Sequence, residues 1–353
     1  MGFLPLNAKC THAFLLAAEG AFPKSLNTMN TLVTGANGFL GSWLVRALTA
    51  RGDRVACLLR PRSDVSNLDG LPYERREGDV TDSDSLARAV EGQQVVFHLA
   101  GLRRAATRED FLRVNAEGTR LLCEALAATG TRPRLVLCSS LGASGPSSSE
   151  RPKVEEDPAR PTEWYGESKA EAERLALSFR EQLEVTVVRP PRILGPRDQE
   201  NLAFFKLVAR GRRLALSGPP RPLTLVDVED VVRLLLLVAE RPEAVGETFF
   251  LGHPDTLTLE QIQDVVAEEL GVRPHTVRVS PALLTALATV ADGVTRLTGR
   301  RLPLNRKLAR QLLAPAWTCS GAKAERLLGF RPRRDLADSI RRSARWYQEQ
   351  GWL

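Results

Sequence analysis

Short apolar runs alternate with amphipathic stretches along most of the chain. Seven segments, several of them apolar runs, predict strands at positions 31–35, 54–60, 73–78, 94–100, 134–140, 184–190 and 247–251. Positions 95–97 and 135–137 are apolar without interruption, which is typical of strands buried on both faces of a sheet. Helices are predicted between the strands, at 42–50, 84–90, 117–128, 168–181 and 228–240. This alternation predicts an α/β fold built on a doubly wound parallel sheet.

The pattern changes after about residue 192. Proline and glycine are frequent between 190 and 222, a further helix is predicted at 259–270, and 281–297 is strongly apolar. At the other end, residues 1–28 show no sustained periodicity, and Met29 directly precedes the first predicted strand. We therefore predict a disordered extension at 1–29, which a misassigned start codon would explain.

Composition excludes several classes of protein. Arginines spread along the chain produce most of its net charge of +7, but no nucleic-acid-binding module accompanies them, so nucleic acid is not predicted as a partner. The five cysteines and four histidines lack metal-ligand spacing, so no metal is predicted and the thiols are expected to be reduced in a cytoplasmic protein. No apolar run reaches the roughly 18–20 residues that would span a bilayer.

A glycine-rich turn follows the first predicted strand and opens a helix. Gly35 allows a tight turn, Gly38 lets a pyrophosphate approach the backbone, and Gly41 lets helix and strand pack closely. The helix start then offers free N–H groups to phosphates. The turn predicts NAD or NADP binding in a Rossmann-type domain, with contacts from Gly35, Asn37, Gly38, Phe39, Leu40 and Gly41.

The end of the second predicted strand indicates which cofactor is preferred. An acidic residue about 20 positions after the turn would bind the ribose hydroxyls of NAD. Here Arg60, Arg62 and Ser63 stand instead, and their side chains suit a 2′-phosphate. NADP is predicted as the preferred cofactor, with NAD as the alternative. Asp79, after the third strand, is predicted to accept a hydrogen bond from the adenine amino group.

Three residues form a candidate catalytic set. Tyr165 and Lys169 are four apart, which places them on one face of a helix, and Ser140 ends the fifth predicted strand. A nearby ammonium favours the phenolate form of a tyrosine. Ser140 can hydrogen-bond a substrate oxygen while Tyr165 gives or takes its proton and the nicotinamide gives or takes a hydride.

With these motifs in order, the chain resembles the extended short-chain dehydrogenases/reductases, the NAD-dependent epimerase/dehydratase family, over residues 30–353. The landmarks are the turn at 34–41, Gly78 with Asp79, 98–101, 114–119, 138–140, Tyr165 with Lys169, 189–191, 194–196, 226–231 and 323–332. The resemblance implies a Rossmann domain at 30–191 and a substrate-binding region at 192–353, part of which (about 224–252) returns to the main sheet.

The same resemblance implies further site residues. Cofactor contacts are expected from Val80, Leu99, Ala100, Gly101 and Pro190, and also from Tyr165 and Lys169. Asn115 is expected to fix the helix behind the active site, and His98 to be structural. Extended members often dimerise, so a homodimer is expected by analogy alone.

Departures from the family pattern narrow the function. Sugar-nucleotide 4,6-dehydratases carry Thr-Asp-Glu where this chain has Ser140-Leu141-Gly142, and epimerases usually carry a phosphate-binding arginine where it has Leu223. The chain is most similar to dihydroflavonol 4-reductase-like and 3β-hydroxysteroid dehydrogenase-like members. We predict an NAD(P)(H)-dependent oxidoreductase that interconverts a secondary alcohol and a ketone on a lipophilic, steroid-, flavonoid- or lipid-like small-molecule substrate. A sugar-nucleotide epimerase is the alternative.

Two further readings stay open at this point. A non-catalytic nucleotide-sensing regulator would usually lack the tyrosine or the lysine, and both are present. The apolar stretch 281–291 would suit a lid over an apolar pocket or an ordinary packing helix, and it could also contact a membrane surface.

Overall fold

The computed structural model describes residues 28–298 and 304–353, so most of the predicted extension at 1–29 lies outside the described residues. The strands are β1 (Asn30–Thr34), β2 (Arg54–Leu59), β3 (Glu74–Glu77), β4 (Val95–His98), β5 (Arg134–Cys138), β6 (Glu184–Arg189), β7 (Arg192–Leu194), β8 (Arg212–Leu216), β9 (Leu225–Asp227), β10 (Thr248–Phe250) and β11 (His275–Val279). They form one seven-stranded sheet and two two-stranded sheets among the described residues.

The large sheet confirms the predicted fold class. Its strand order is β10-β6-β5-β4-β1-β2-β3, and the sequence predicted a strand at each of these seven places. The pairs from β5 through β4, β1 and β2 to β3 are parallel, with Val33 in register with Cys57 on one side and Phe97 on the other. This is the doubly wound order: β2 and β3 are added on one side of β1, and β4, β5 and β6 are added on the other side.

Helices connect the strands. They are α1 (Phe39–Arg51), α2 (Ser83–Val90), α3 (Arg108–Phe111), α4 (Gly118–Ala128), α5 (Leu141–Ser144), α6 (Trp164–Ser178), α7 (Leu202–Ala209), α8 (Val228–Glu240), α9 (Leu259–Leu270), α10 (Pro281–Thr298), α11 (Arg306–Leu313), α12 (Ala322–Leu328) and α13 (Leu336–Glu349). A π-helical stretch, Leu112–Glu117, joins α3 to α4. No helix among the described residues is long and apolar enough to cross a membrane.

The described chain divides into two compact units. The first comprises the residues up to Cys138 together with Ala172–Val187 and Leu235–Glu247. Its core lies between the sheet and the helices on one face. Leu32 of β1, Val96 of β4 and Leu135 of β5 are fully buried there, and they pack with Leu86 and Leu122 from α2 and α4. Burial on both faces is what the uninterrupted apolar runs predicted.

The second unit comprises Ser139–Glu171, Val188–Leu234 and Thr248–Leu353. One of its cores centres on Tyr347 of α13, whose ring meets that of Phe205 edge-to-face at a centroid distance of 5.0 Å. The Tyr347 hydroxyl donates to the Asp198 carbonyl oxygen at 2.6 Å. Burial raises the pKa of this phenol far above its ordinary value, so it remains a donor. The C-terminal helix is thus anchored by packing and by one buried hydrogen bond.

Buried carboxylates fasten the C-terminal segment to the start of α8. Asp230 is almost fully buried and accepts hydrogen bonds from the backbone N–H groups of Arg333 and Arg334 at 3.0 and 3.1 Å. Glu229 pairs with Arg334, and it pairs with Arg342 at 2.6 Å. The 226–231 landmark therefore stabilises the fold of this unit, since its buried carboxylates have hydrogen-bond or ion-pair partners in the C-terminal segment.

The second unit also contains elements that the sequence pattern did not indicate. They are β7, β8, β9, β11, α5, α7, α11, α12 and α13. The helix predicted at 168–181 begins earlier, at Trp164, and ends at Ser178. This correction places Tyr165 inside the helix, one turn before Lys169.

Candidate active site

The glycine turn leaves no room for side chains at two positions. Gly35 has a φ of +70°, and a Cβ there would lie 2.7 Å from the backbone nitrogen of Ala100. A Cβ at Gly41 would lie 2.1 Å from the Gly35 carbonyl oxygen. These contacts are far inside van der Waals distance, so only glycine lets β1, α1 and the end of β4 approach in this way.

The start of α1 presents its backbone donors without competition from its own side chains. Gly38 is the N-cap residue in an extended conformation, no side chain caps the helix, and its first turn contains no acidic residue. Phe39 and Leu40, which follow, are half-buried. An uncapped helix start next to the three glycines of the turn fits a pyrophosphate. The glycine turn and the start of α1 therefore fit a dinucleotide cofactor.

A chain of buried hydrogen bonds links the ends of β1 and β4. The Ala100 N–H donates to Thr34 Oγ1 at 3.1 Å, and Thr34 Oγ1 lies 2.7 Å from Nδ1 of His98. On the other side of the ring, His98 Nε2 lies 3.1 Å from Thr119 Oγ1, which itself donates to the Asn115 carbonyl oxygen at 2.6 Å. Because each hydroxyl has one proton, this order assigns the Nε2–H tautomer to His98. His98 has the expected structural contacts, made through its ring.

Asn115 fixes the segment that leaves β4. Its side-chain oxygen accepts from the Leu102 N–H at 2.6 Å, and its amide nitrogen donates to the Leu102 carbonyl oxygen at 2.9 Å. Asn115 lies in the π-helical stretch, an irregularity that often marks functional sites. The predicted contact residues Leu99, Ala100 and Gly101 lie just before this clamp and beside the glycine turn.

The carboxyl end of β2 carries the predicted phosphate-binding residues. Arg60 and Arg62 are exposed and form no ion pair with any described residue, and Ser63 is half-buried. The Arg75 guanidinium donates to the carbonyl oxygens of Arg60 and Pro61, at 2.9 and 3.2 Å. Sequence reasoning missed Arg75. The feature that could have indicated it is an arginine on β3, because this strand pairs in parallel with β2.

The loop after β2 is also tied to the glycine turn. Asn37 donates from its amide nitrogen to the Asp64 carbonyl oxygen at 2.9 Å, and Asn67 donates to the Asn37 carbonyl oxygen at 3.0 Å. Asn37 is therefore engaged through both its side chain and its backbone. These contacts fix the Arg60–Ser63 turn relative to the glycine turn.

Asp79 and Val80 lie at the end of β3. Oδ1 of Asp79 accepts from both the backbone and the hydroxyl of Thr81, at 2.9 and 2.7 Å. Oδ2 has no hydrogen-bond partner among the described residues and can accept one from a ligand. Val80 is buried in the core of this unit, where it packs against Gly118.

In the second unit, Ser140 and Tyr165 flank the same glycine. Ser140 is the N-cap of α5, and its hydroxyl oxygen accepts from the Gly142 N–H at 3.0 Å. A Cβ placed on Gly142 would lie 3.3 Å from Ser140 Oγ and 3.7 Å from the Tyr165 ring. The Leu141 N–H donates to the carbonyl oxygen of buried Pro190 at 2.9 Å, which fixes this turn. The structure thus brings Ser140 and Tyr165 together.

Lys169 lies one turn after Tyr165 on α6 and is buried. A buried ammonium needs anionic or polar partners, and the spacing of four residues places Lys169 and Tyr165 on one face of α6. Glu163, just before α6, is also buried, and its carboxylate lies 3.2 Å from the Lys307 ammonium of α11. Burial raises the pKa of Glu163 despite the opposing effect of Lys307. Sequence reasoning missed this pair because its members are far apart in the chain.

Comparison with known proteins agrees with this geometry. The model of the NAD dependent epimerase/dehydratase family matches residues 31–252. The chain belongs to this family. Like its relatives, it is an NAD(P)-dependent enzyme of the oxidoreductase type.

Individual members of the family are similar over nearly the whole chain. A ceramide reductase of Caulobacter vibrioides is 33% identical over 91% of this chain and 95% of its own length. Sterol demethylase protein B of Methylococcus capsulatus is 32% identical over 92% and 100%. The structure of a dTDP-glucose 4,6-dehydratase of Streptomyces venezuelae, with NAD bound, is 26% identical, with a TM-score of 0.75 over 92% of this chain and 99% of its own.

A substitution at Gly166 tests the packing of α6 in this epimerase/dehydratase family member. A Cβ at Gly166 would lie 2.3 Å from the Gly142 carbonyl oxygen, so Gly166→Ala should push α6 away from the Ser140 turn. We expect the free energy of unfolding, measured in urea, to fall by about 1–3 kcal/mol. Gly293→Ala is the matched control, because this glycine of α10 has open space around it and should gain up to about 1 kcal/mol. Equal urea midpoints for Gly166→Ala and the wild type would contradict the close approach.

Proposed function

We propose that this protein is an NADP(H)-preferring oxidoreductase that interconverts a secondary alcohol and a ketone on a lipophilic substrate. The observation that carries the proposal is the packing of Tyr165 and Ser140 around Gly142, with buried Lys169 one helical turn away. This set of groups suits proton transfer at a carbon-bound oxygen.

Each residue has a separate role in the proposal. The Ser140 hydroxyl donates a hydrogen bond to the substrate oxygen and orients it. Tyr165 delivers a proton to that oxygen in the reductive direction and accepts it in the oxidative direction. Lys169 supplies a positive charge on the same face of α6 as Tyr165. A bound nicotinamide supplies or accepts the hydride.

The cofactor would be held by the residues of the first unit. The backbone at Gly35, Gly38 and Gly41 suits the pyrophosphate, and Asp79 suits the adenine amino group. Exposed Arg60 and Arg62, with no ion pair to any described residue and with their turn ordered by Arg75, support a preference for the 2′-phosphate of NADP. We further propose the division predicted above, with a cofactor-binding domain at 30–191 and a substrate-binding region at 192–353.

Two features support a lipophilic ketone or alcohol over a sugar nucleotide. The two relatives at 32–33% identity are a ceramide reductase and a sterol demethylase protein, whose names denote apolar substrates. Leu223, at the position of the phosphate-binding arginine of epimerases, packs against an apolar cluster. Arg221 donates to the Ser217 and Pro219 carbonyl oxygens in its own loop, so its guanidinium does not replace the missing group.

The alternative is a sugar-nucleotide epimerase that uses NAD. The name of the family model and the NAD bound in the dehydratase structure support NAD, rather than NADP, as the cofactor in this alternative. The expected homodimer also stays a proposal by analogy with extended family members.

A substrate screen tests the proposal directly. Purified protein is mixed with NADPH or NADH and a panel of steroid ketones, long-chain 3-ketones and flavonoid ketones, and nucleotide oxidation is followed by absorbance. We expect turnover of at least one lipophilic ketone, faster with NADPH. UDP- and dTDP-sugars are incubated in parallel, with epimers separated by chromatography. Epimer formation without ketone reduction, or NAD retained on purification, would favour the alternative.

A further inference from the structure

Helix α10 leaves a stripe of large apolar side chains in solvent. Leu283, Leu287, Val290, Val294 and Leu297 expose 49, 48, 64, 37 and 89% of their surfaces. Successive spacings of four, three, four and three residues place all five on one side of the helix. A contiguous apolar surface of this kind usually marks a contact site. We call these five residues the α10 stripe.

The α10 stripe is not needed to attach α10 to its own unit. A different set of residues on the helix, Leu284, Ala288 and Ala291, is buried. Leu284 and Ala288 share a small core with Val279 of β11 and Ala309 of α11. The helix therefore has two apolar surfaces, one packed in the core and one uncovered.

The charge of the chain is concentrated around this helix. Residues 271–320 contain one acidic residue, Asp292, against eight basic residues: Arg273, Arg278, Arg296, Arg300, Arg301, Arg306, Lys307 and Arg310. This excess of seven positive charges equals the excess of the whole chain, in which 49 basic residues face 42 acidic ones. Although arginines are spread along the whole chain, acidic residues balance them outside this segment, so the net positive charge comes from the segment that carries the α10 stripe.

Four of these arginines are available to an external anion. Arg273, Arg278, Arg306 and Arg310 are exposed, and none forms an ion pair with a described residue. Arg278 lies in β11 just before α10, and Arg306 and Arg310 lie on α11, which packs against α10. Some other exposed arginines of this unit do have a carboxylate partner, as Arg151 has in Asp157.

We propose that the α10 stripe and the arginines around it dock this protein on an anionic phospholipid surface. An apolar helix face rimmed by basic residues lies in the plane of the interface, with its apolar side chains among the acyl chains and its cations at the headgroups. A second copy of the chain is a poorer occupant. Symmetric pairing through the stripe would bring the same basic segment of each copy together. The inference goes beyond the proposed function and does not depend on it.

Vesicle sedimentation tests the proposal with the full chain. Vesicles of phosphatidylcholine alone are compared with vesicles of phosphatidylcholine containing phosphatidylglycerol, at low and at high salt. We expect binding to the anionic vesicles only, and a loss of binding as salt screens the arginines. Equal partition into both kinds of vesicle, or no binding at low salt, would overturn the proposal.

Matched variants separate the apolar contact from the charge. Leu287→Glu with Val290→Glu alters the stripe, and Thr285→Glu with Thr289→Glu adds the same charge at exposed positions of α10 away from it. We expect the stripe variant to bind anionic vesicles at least about tenfold more weakly than its control. Arg278→Gln with Arg306→Gln should lower binding about fivefold for each arginine removed. Arg88→Gln with Arg326→Gln, at exposed arginines outside the segment, should leave it nearly unchanged.

Three results would overturn the proposal, and two of them would assign the surface to another occupant. The stripe variant and its control could bind vesicles equally. The wild type could be a dimer that the stripe variant dissociates, with no vesicle binding, which would identify a second copy. The stripe variant could change only the KM for a lipophilic ketone, which would identify a lid over the substrate. Circular dichroism and NADPH binding confirm that each variant is folded. Because vesicle binding requires no turnover, its failure is distinguishable from failure of the proposed function.

Discussion

Replacing Tyr165 with phenylalanine is expected to lower kcat by about 10²- to 10⁴-fold, the usual contribution of a positioned general acid or base. Phenylalanine keeps the ring that packs beside Gly142, so the turn at Ser140 and the fold should be retained. Only the hydroxyl that is proposed to deliver the proton is lost. The measurement is kcat with the ketone that the screen identifies, together with the Kd for NADPH, which should change by less than about threefold.

Tyr73→Phe is the matched control for this experiment. Tyr73 lies before β3, is half-buried, and belongs to neither residue set of the candidate site. Its substitution removes the same atom from the same residue type and should leave kcat unchanged. Tyr347 would be a poor control, because its hydroxyl is buried in a hydrogen bond with the Asp198 carbonyl. If Tyr165→Phe retained wild-type turnover, the proton would have to come from another group and the proposed mechanism would be wrong.

The first unit could be predicted well because its signals are local. Most strands of the large sheet are short buried runs, and all four residues of β4 are buried, whereas the edge strand β3 is charged and largely exposed. The glycine turn could be predicted for the same reason, since strand, turn and helix are consecutive in the chain. What the sequence could not reveal is the chain of contacts through Thr34, His98 and Thr119, which joins residues from separate elements.

The second unit could be predicted poorly because its pairings are distant. β8 and β11 pair in parallel, with Arg212 in register with His275, yet most of their residues are partly or fully exposed and polar residues interrupt both runs. The start of α6 was missed for another reason. Gly166 lowers helix propensity, which favoured a start after it. The structure keeps a glycine there because the Gly142 carbonyl oxygen lies where its Cβ would be.

Replacing Arg60 with alanine is the second prediction with a large effect. A charge-assisted hydrogen bond to a phosphate contributes about 1.5–3 kcal/mol, so NADPH binding should weaken by about 10- to 100-fold. NADH lacks the 2′-phosphate, so its affinity should change little. Removal of the Arg60 side chain should not disturb the turn, because Arg75 contacts the backbone carbonyls of Arg60 and Pro61. Calorimetric titration of both nucleotides measures the two affinities.

Arg54→Ala supplies the control for net charge. Arg54 is exposed at the amino end of β2, the strand whose carboxyl end leads to Arg60, so both variants lose one positive charge near the same strand. If general electrostatic attraction holds the cofactor, the two variants should weaken NADPH binding equally. If the 2′-phosphate is recognised at Arg60, only Arg60→Ala should do so. A wild type that binds NADH more tightly than NADPH would contradict the NADP preference, and it would move the proposal toward an NAD-dependent epimerase.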